Sequence, residues 1–375
     1  MDRYAVFKAD SYDEELMYDV MKKHFEVHDV KSLVSPDSKV VIKPNLVSDM
    51  DAAFCATTDP AFVMAIVKCL RELGVTDITV ADCPGGATLL TTDINDLYRH
   101  AGLDVLAPYA KLNTDFEARE LPTPDGFRNR SFTVLGIIAN ADLVINAPKL
   151  KTHNLTCITA GVKNLFGSVP GLLKPAFHAK YPRISDFSDM LTELALTVKP
   201  ALTVIDAVDI QERNGPVNGA RRRLGVTFSS TDVFGLDKVT ADTLGIPCEM
   251  ISTVVASGRY GLLKEAYETE GDVDFRPDRP VILPEMMRAE NGLGRMSARI
   301  GVFKDKIERA VFSYYPSFNG KCVRCGKCVL SCPKKALTIV AGTVTLDRQK
   351  CIGCFCCNET CSNGAIDIKK SLKKR

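Results

Sequence analysis

Two runs of cysteine near the end of this sequence are spaced for chemistry. Cys322, Cys325, Cys328 and Cys332 read C-x2-C-x2-C-x3-C with Pro333 next, and Cys351, Cys354, Cys357 and Cys361 repeat that spacing 29 residues later. The repeat continues beyond the thiols, since Ala336-Leu337-Thr338-Ile339 lines up with Ala365-Ile366-Asp367-Ile368. One supersecondary unit therefore occurs twice. Three thiolates held this closely on a winding loop aim at one centre and leave a fourth to come from elsewhere, which suits a cubane iron–sulfur cluster. Zinc sites normally use two separated C-x2-C pairs, and a disulfide framework needs an oxidising compartment to which nothing here points. Two [4Fe–4S] clusters and one-electron transfer at low potential are the expected chemistry.

The block from about 314 to 368 resembles the bacterial two-cluster ferredoxin. That resemblance implies that each motif lends its last cysteine to the other motif's cluster. One cluster then takes Cys322, Cys325, Cys328 and Cys361, and the other takes Cys351, Cys354, Cys357 and Cys332. Ser362 stands where the family usually has proline, which removes no ligand. Cys356, a ninth cysteine in the block, reads first as a small packed residue, and otherwise as an alternative ligand or a redox-sensitive thiol.

A second set of reactive residue types lies in the first 310 residues, where polar stretches follow short apolar runs. Lys43-Pro44-Asn45 follows Val40-Val41-Ile42, and Asp82-Cys83-Pro84-Gly85-Gly86 follows Ile78-Thr79-Val80. Lys149 to His153 comes just after Leu143-Val144-Ile145, and Asp206 directly follows Leu202 to Ile205. Lys149, Lys151 and His153 alternate, so an extended segment presents them on one side. A helix expected after them carries Thr156, Thr159 and Lys163 on one face and closes at Asn164 and Gly167. Lysines beside a helix N-terminus suit a phosphate or a carboxylate. The expected site holds a small anionic ligand with Lys149, Lys151, His153, Lys163 and Asn164, and sets Lys43, Asn45 and Asp206 opposite. His178 reads as a surface residue, or beside Lys180 as an extension of the basic site.

The pieces Lys43-x-Asn45, Lys149-x-Lys151-Thr152-His153, Lys163-Asn164-x-x-Gly167, and Asp206 with Gly215-Pro216 and Gly219 resemble the domain of unknown function 362 family. The resemblance spans about 43 to 245. It implies an α/β architecture often joined to the same ferredoxin unit, and it names no reaction or substrate.

Helices and strands must position these residues. Asp59 reads as an N-cap before Pro60, opening a helix that runs through Leu70 and stops at Gly74. Ser11 and Glu14 suggest a capping box for a helix using Leu16, Val20 and Phe25. Alternating strands and helices predict an α/β fold, a mostly parallel sheet with flanking helices, plus a small α+β ferredoxin-like domain. Ligands in such sheets bind beyond the C-terminal ends of the strands. Asp82 to Gly86 is neither a P-loop nor a dinucleotide fingerprint. The expected division is 1–311 and 312–375, with the role of 257–308 open between a lid, a subunit contact and an insertion.

Composition narrows the classes. Of 375 residues, 46% are hydrophobic and 25% charged, as in a globular protein rather than a disordered one. No apolar run reaches the roughly 18 residues of a membrane helix, and no basic, aromatic-interleaved platform suggests nucleic acid. A cytoplasmic location and anaerobic metabolism are expected. The net charge of +2 hides an asymmetry: from Gly320 onward there are 12 Lys and Arg against 3 Asp and Glu, leaving 36 against 43 before it. The basic end, Lys369, Lys370, Lys373, Lys374 and Arg375, reads as a solvated tail or as a handle for an acidic surface. The leading function is an iron–sulfur oxidoreductase whose clusters exchange electrons with an anionic ligand, or with a further organic redox cofactor. The alternatives are an electron carrier docking a ferredoxin or flavoprotein partner, and a non-redox enzyme with structural or oxygen-sensing clusters.

Overall fold

The computed structural model describes residues 3–287 and 312–372. The first stretch carries β1 (Arg3–Lys8), β2 (Lys39–Pro44), β3 (Asp77–Val80), β4 (Lys111–Leu112), β5 (Ala118–Pro122), β6 (Ser131–Leu135), β7 (Leu143–Ala147), β8 (Lys149–His153), β9 (Cys157–Thr159), β10 (Leu202–Asn214), β11 (Asn218–Ser230) and β12 (Glu268–Gly271). Ten of these build one sheet in the order β12-β1-β11-β10-β7-β2-β3-β4, with β8 branching from β10 and β9 paired to β8. From β10 to β4 the pairs are parallel, whereas β10–β11 and β1–β11 are antiparallel. The fold is therefore α/β with a mostly parallel sheet, as the sequence predicts. No helix among the described residues is long and apolar enough to cross a membrane.

Strand alternation explains why both faces are covered. Val40 and Ile42 pack into one apolar cluster with Phe62, Ile66 and Leu70, while Val41 between them joins a second cluster with Phe187, Leu191 and Leu194. The first cluster receives the helices Glu14–Val27 and Pro60–Glu72, and the second receives Ile184–Val198. Asp59 caps its helix as expected, accepting from the Ala61 amide at 2.9 Å, an interaction worth about 1 kcal/mol. The first helix departs from expectation. Asp13, directly before it, accepts from the Glu15 and Leu16 amides, and Ser11 accepts only from the Asp13 amide at the start of that turn.

The segment after His153 also differs. Thr156 and Thr159 are not helical: the chain reverses and returns as β9, antiparallel to β8, with Lys151 opposite Thr159 and His153 opposite Cys157. β-Branched Thr152, Thr156, Ile158 and Thr159 favour that extended path. Only Gly161–Asn164 forms a helix. Its amides at Gly161 and Val162 are taken by the Asp237 carboxylate at 2.6 and 3.1 Å, so this helix end offers no anion site.

The second stretch forms β13 (Phe312–Phe318), β14 (Leu337–Val340), β15 (Thr343–Leu346) and β16 (Ile366–Leu372), with β13 paired to β16 and β14 to β15. The short helices Lys327–Leu330 and Cys356–Glu359 are the two copies of the repeat. This unit packs against the loops after β3 and the β10–β11 hairpin. Ser331 and Thr360, equivalent positions of the repeat, hydrogen-bond each other at 3.1 Å, and Ser331 Oγ accepts from the Ala87 amide at 3.0 Å. A Cβ on Gly86 would lie 2.5 Å from Ser331 Oγ, so glycine permits the approach. Lys327 reaches Thr92, and the Asn218 side chain donates to the Ile366 carbonyl. Of the basic end, Lys369 and Lys370 lie on β16, and Lys373 to Arg375 fall outside the described residues. So do 288–311, which include the later part of the 257–308 segment and end at the expected unit boundary.

Candidate functional site

A cavity of about 60 Å³ opens where the C-terminal ends of β2 and β3 meet β8, the helix Gly161–Asn164 and the ferredoxin-like unit. Lys151, His153, Lys163, Lys174 and Glu359 supply its charged and titratable walls together with Asp82. That volume holds a small oxyanion or a few waters.

Asp82 knits the floor. Its carboxylate accepts from the Leu46 and Cys83 amides at 2.6 and 2.9 Å and pairs with Lys43 at 2.9 Å, fully buried. Burial pushes the Lys43 ammonium below its usual pKa while the Asp82 carboxylate opposes that shift. Gly167 lies directly against this pair, and a Cβ there would sit 1.9 Å from Asp82 Oδ1. Asn164 links the floor to the wall, accepting from Asn45 at 2.8 Å and donating to Asn146 at 2.8 Å.

The lysines around the cavity are short of counter-charge. Lys151 donates to Asn45 Oδ1 and the Ala56 carbonyl, and Lys174 to the Cys83 and Pro84 carbonyls, all neutral acceptors. Lys163 makes no hydrogen bond or ion pair among the described residues, and its Nζ stands 5.5 Å from the Phe166 ring centre. Burial pushes Lys151 and Lys163 below the usual lysine range, with the two ammoniums repelling at Lys151. With Asp82 already paired to Lys43, the three lysines Lys151, Lys163 and Lys174 share one remaining carboxylate, Glu359, an arrangement that favours an added anion.

Glu359 comes from the ferredoxin-like unit, on the same short helix as Cys356 and Cys357. Burial opposes its ionisation, but Lys163 and His153 outweigh burial and hold its carboxyl well below the usual range. His153 Nδ1 accepts from the Leu155 and Thr156 amides at 3.0 and 3.3 Å. The hydrogen of the neutral ring therefore sits on Nε2. Burial, with Lys163 beside it, depresses the imidazole to about 4, so it is neutral at physiological pH. Nε2 stands 3.0 Å from Glu359 Oε1 without hydrogen-bond alignment, and both atoms are buried without a partner among the described residues. Nε2 is thus left without an aligned acceptor among the described residues.

Not every expected residue arrives here. Asn45, Lys151, His153, Lys163 and Asn164 line the cavity, and Lys43 supports its floor. Lys149 and Asp206 do not take part: they form a separate buried pair at 2.9 Å, with Tyr12 donating to Asp206 at 2.7 Å. Lys149, Lys151 and His153 do share a strand face, but the ends of that row are about 13 Å apart, so one face is not one point. His178 is buried, not superficial, and stacks on Phe187 at 4.1 Å. Sequence reasoning missed Lys174 and Glu359, and it singled out the loop of Asp82 without assigning that residue to the site. Glu359 left a trace, because it replaces the Leu330 of the first repeat and is one of only three acidic residues after Gly320.

The repeat cysteines ring two further cavities. Cys322, Cys325, Cys328 and Cys361 line one with Phe318, Val344 and Ile366, and Cys332, Cys351, Cys354 and Cys357 line the other with Leu337, Leu346 and Phe355. Each ring has three cysteines of one motif and the last of the other, in apolar surroundings that fit a thiolate-held cluster. No three His, Cys, Asp or Glu side chains among the described residues converge as for a single ion. Cys356 is buried against the second ring.

An α/β sheet joined to a repeated cysteine unit defines an iron–sulfur protein of the electron-transfer kind. The chain belongs to the family described as Domain of unknown function (DUF362), whose model matches residues 40–242, and a 4Fe-4S dicluster domain matches residues 318–362. It is 33% identical over 239 residues to the thylakoid-associated protein sll1697 of Synechocystis sp., covering 63% of this chain and 72% of that one. A 48-residue segment is 40% identical to the putative oxidoreductase UacF of Escherichia coli, covering 13% of this chain and 8% of that protein. The lactate racemase apoprotein from Thermoanaerobacterium thermosaccharolyticum aligns with a TM-score of 0.35 at 14% identity, covering 56% of this chain and 51% of that one, too slight a likeness to carry an argument.

Proposed function

We propose that the chain is an iron–sulfur oxidoreductase whose two clusters exchange electrons with a small anionic ligand held between the two units. Cys322, Cys325, Cys328 and Cys361 hold one [4Fe–4S] cluster, and Cys351, Cys354, Cys357 and Cys332 hold the other. When bound, the clusters supply single electrons at low potential. The chain's own side chains do the rest. Lys163 and Lys151 neutralise the anion, His153 offers it a hydrogen bond from Nε2, and Asn45 with Asn164 keeps Lys151 in place. A volume of about 60 Å³ favours a small anion over a flavin or nicotinamide, which need pockets of roughly 300 Å³ or more.

The observation that carries this reading is Glu359. The helix bearing Cys357 puts a carboxylate into the lysine and histidine pocket, so the second cysteine ring and the ligand site share one element. A carrier that merely docked a partner has no use for that contact, which favours the oxidoreductase over the carrier.

Anaerobic purification with iron and sulfide quantitation, and mass spectrometry of whatever denaturation releases, tests the reading. About eight irons per chain are expected, falling to about half in Cys325→Ser with the circular dichroism of the α/β unit unchanged. Four irons in the unaltered chain, or collapse of the whole fold in the variant, would contradict the assignment.

A further inference from the structure

The two cysteine rings differ in solvent access at one position. Each has one buried cysteine, Cys328 or Cys357, and partly covered companions, but only the first has an exposed one, Cys325. Beside Cys325 stand Val323, Ile339 and Val340, which are 63%, 45% and 58% exposed. They share one surface: a Cβ on Gly326 would lie 3.8 Å from Ile339 Cδ1, and one on Gly342, between β14 and β15, 3.5 Å from Arg324 Nη1. Exposed apolar side chains gathered like this mark an interaction site.

Charge says what it meets. Residues 321–346 contain Lys321, Arg324, Lys327, Lys334 and Lys335 and no acidic residue. Lys327 turns inward to Thr92, while the other four are exposed. An apolar centre inside a cationic field complements an acidic protein surface and steers it into contact. The helix of the second ring carries Glu359 into the lysine pocket.

We infer that the face around Val323, Arg324 and Val340 is the port where a small acidic ferredoxin docks to exchange single electrons with the cluster at Cys322, Cys325, Cys328 and Cys361. The second cluster then serves the pocket. One electron leaves the reduced ferredoxin, which is oxidised, and reduces this chain by one electron, with the reverse transfer balanced in the same way. The inference rests on the cluster assignment proposed above.

The test is calorimetric binding of an oxidised, acidic plant-type [2Fe–2S] ferredoxin to the cluster-loaded chain at low and at physiological salt. Binding that weakens with salt is expected, with Arg324→Glu and Val340→Asp each costing about tenfold in affinity or more. Val340 lies outside the cysteine loops, so this variant keeps the inference testable if Arg324→Glu loses iron. Iron content and reduction by dithionite should be unaltered in Val340→Asp; their failure in the unaltered chain would instead remove the cluster assignment. Salt-independent binding, or wild-type affinity in Val340→Asp, would overturn the port. So would self-association through this face, seen as a dimer in ultracentrifugation that Val340→Asp abolishes.

Discussion

Gly167 shows how closely single residues hold the pocket. It brings the turn after Asn164 onto the Lys43–Asp82 pair, with no room for a methyl group against the carboxylate. Gly167→Ala must displace Asp82, which holds the Leu46 and Cys83 amides, or shift the turn that positions Lys163. Overpacking of this kind costs about 1–3 kcal/mol. The expected outcome is a lower thermal midpoint with both clusters retained; an unchanged midpoint would mean that the floor is not rigid. Residue identity alone gave part of this site. Lys151 and His153 were legible because such residues are unusual just after an apolar strand run, and Lys163 because it sits in the piece Lys163-Asn164-x-x-Gly167. Lys149 shares their type and strand face, yet its charge is satisfied by Asp206, and no sequence pattern separates a structural ion pair from a ligand-facing lysine.

At the scale of elements, the helix Glu14–Val27 packs against β11 through a polar contact inside an apolar interface. His24 sits between Ser229 and Thr227 at 2.6 and 2.7 Å, fully buried. Burial depresses it to about 3, with neighbouring His28 adding to the shift. An unfolded histidine titrates near 6.5, so between those values the unfolded chain binds the proton more tightly. The neutral imidazole's contribution is complete above about pH 6.5 and declines as pH falls toward 3, at about 1.4 kcal/mol per pH unit. Denaturation midpoints should fall on acidification from pH 7 to 5, less steeply in His24→Asn; equal slopes would contradict a buried neutral His24. Elements differed in how well the sequence announced them. Asp59-Pro60 and the apolar triplets of β2, β3 and β7 carry local signals. The hairpin β8–β9 does not, because Thr156, Thr159 and Lys163 keep a helical spacing while β-branching at Thr152, Thr156, Ile158 and Thr159 favours an extended path.

For the whole molecule, the sequence sets a basic cysteine-rich end after a larger acidic stretch. What composition could not give is how the units meet. The contact depends on Gly86 accommodating Ser331 and Thr360 and on Glu359 entering the lysine pocket, both long-range pairings with no local signature. That meeting brings the helix bearing Cys357 against the lysine pocket through Glu359, while Cys325 of the other ring is exposed. The most direct test is electron paramagnetic resonance of the dithionite-reduced, cluster-loaded chain during titration with small anions, with phosphate, formate and acetate as probes. The account predicts that at least one anion perturbs a single one of the two cluster signals, the one retained in Cys325→Ser, and that Lys163→Ala abolishes the response. Signals indifferent to every anion, or a response that persists in Lys163→Ala, would contradict it.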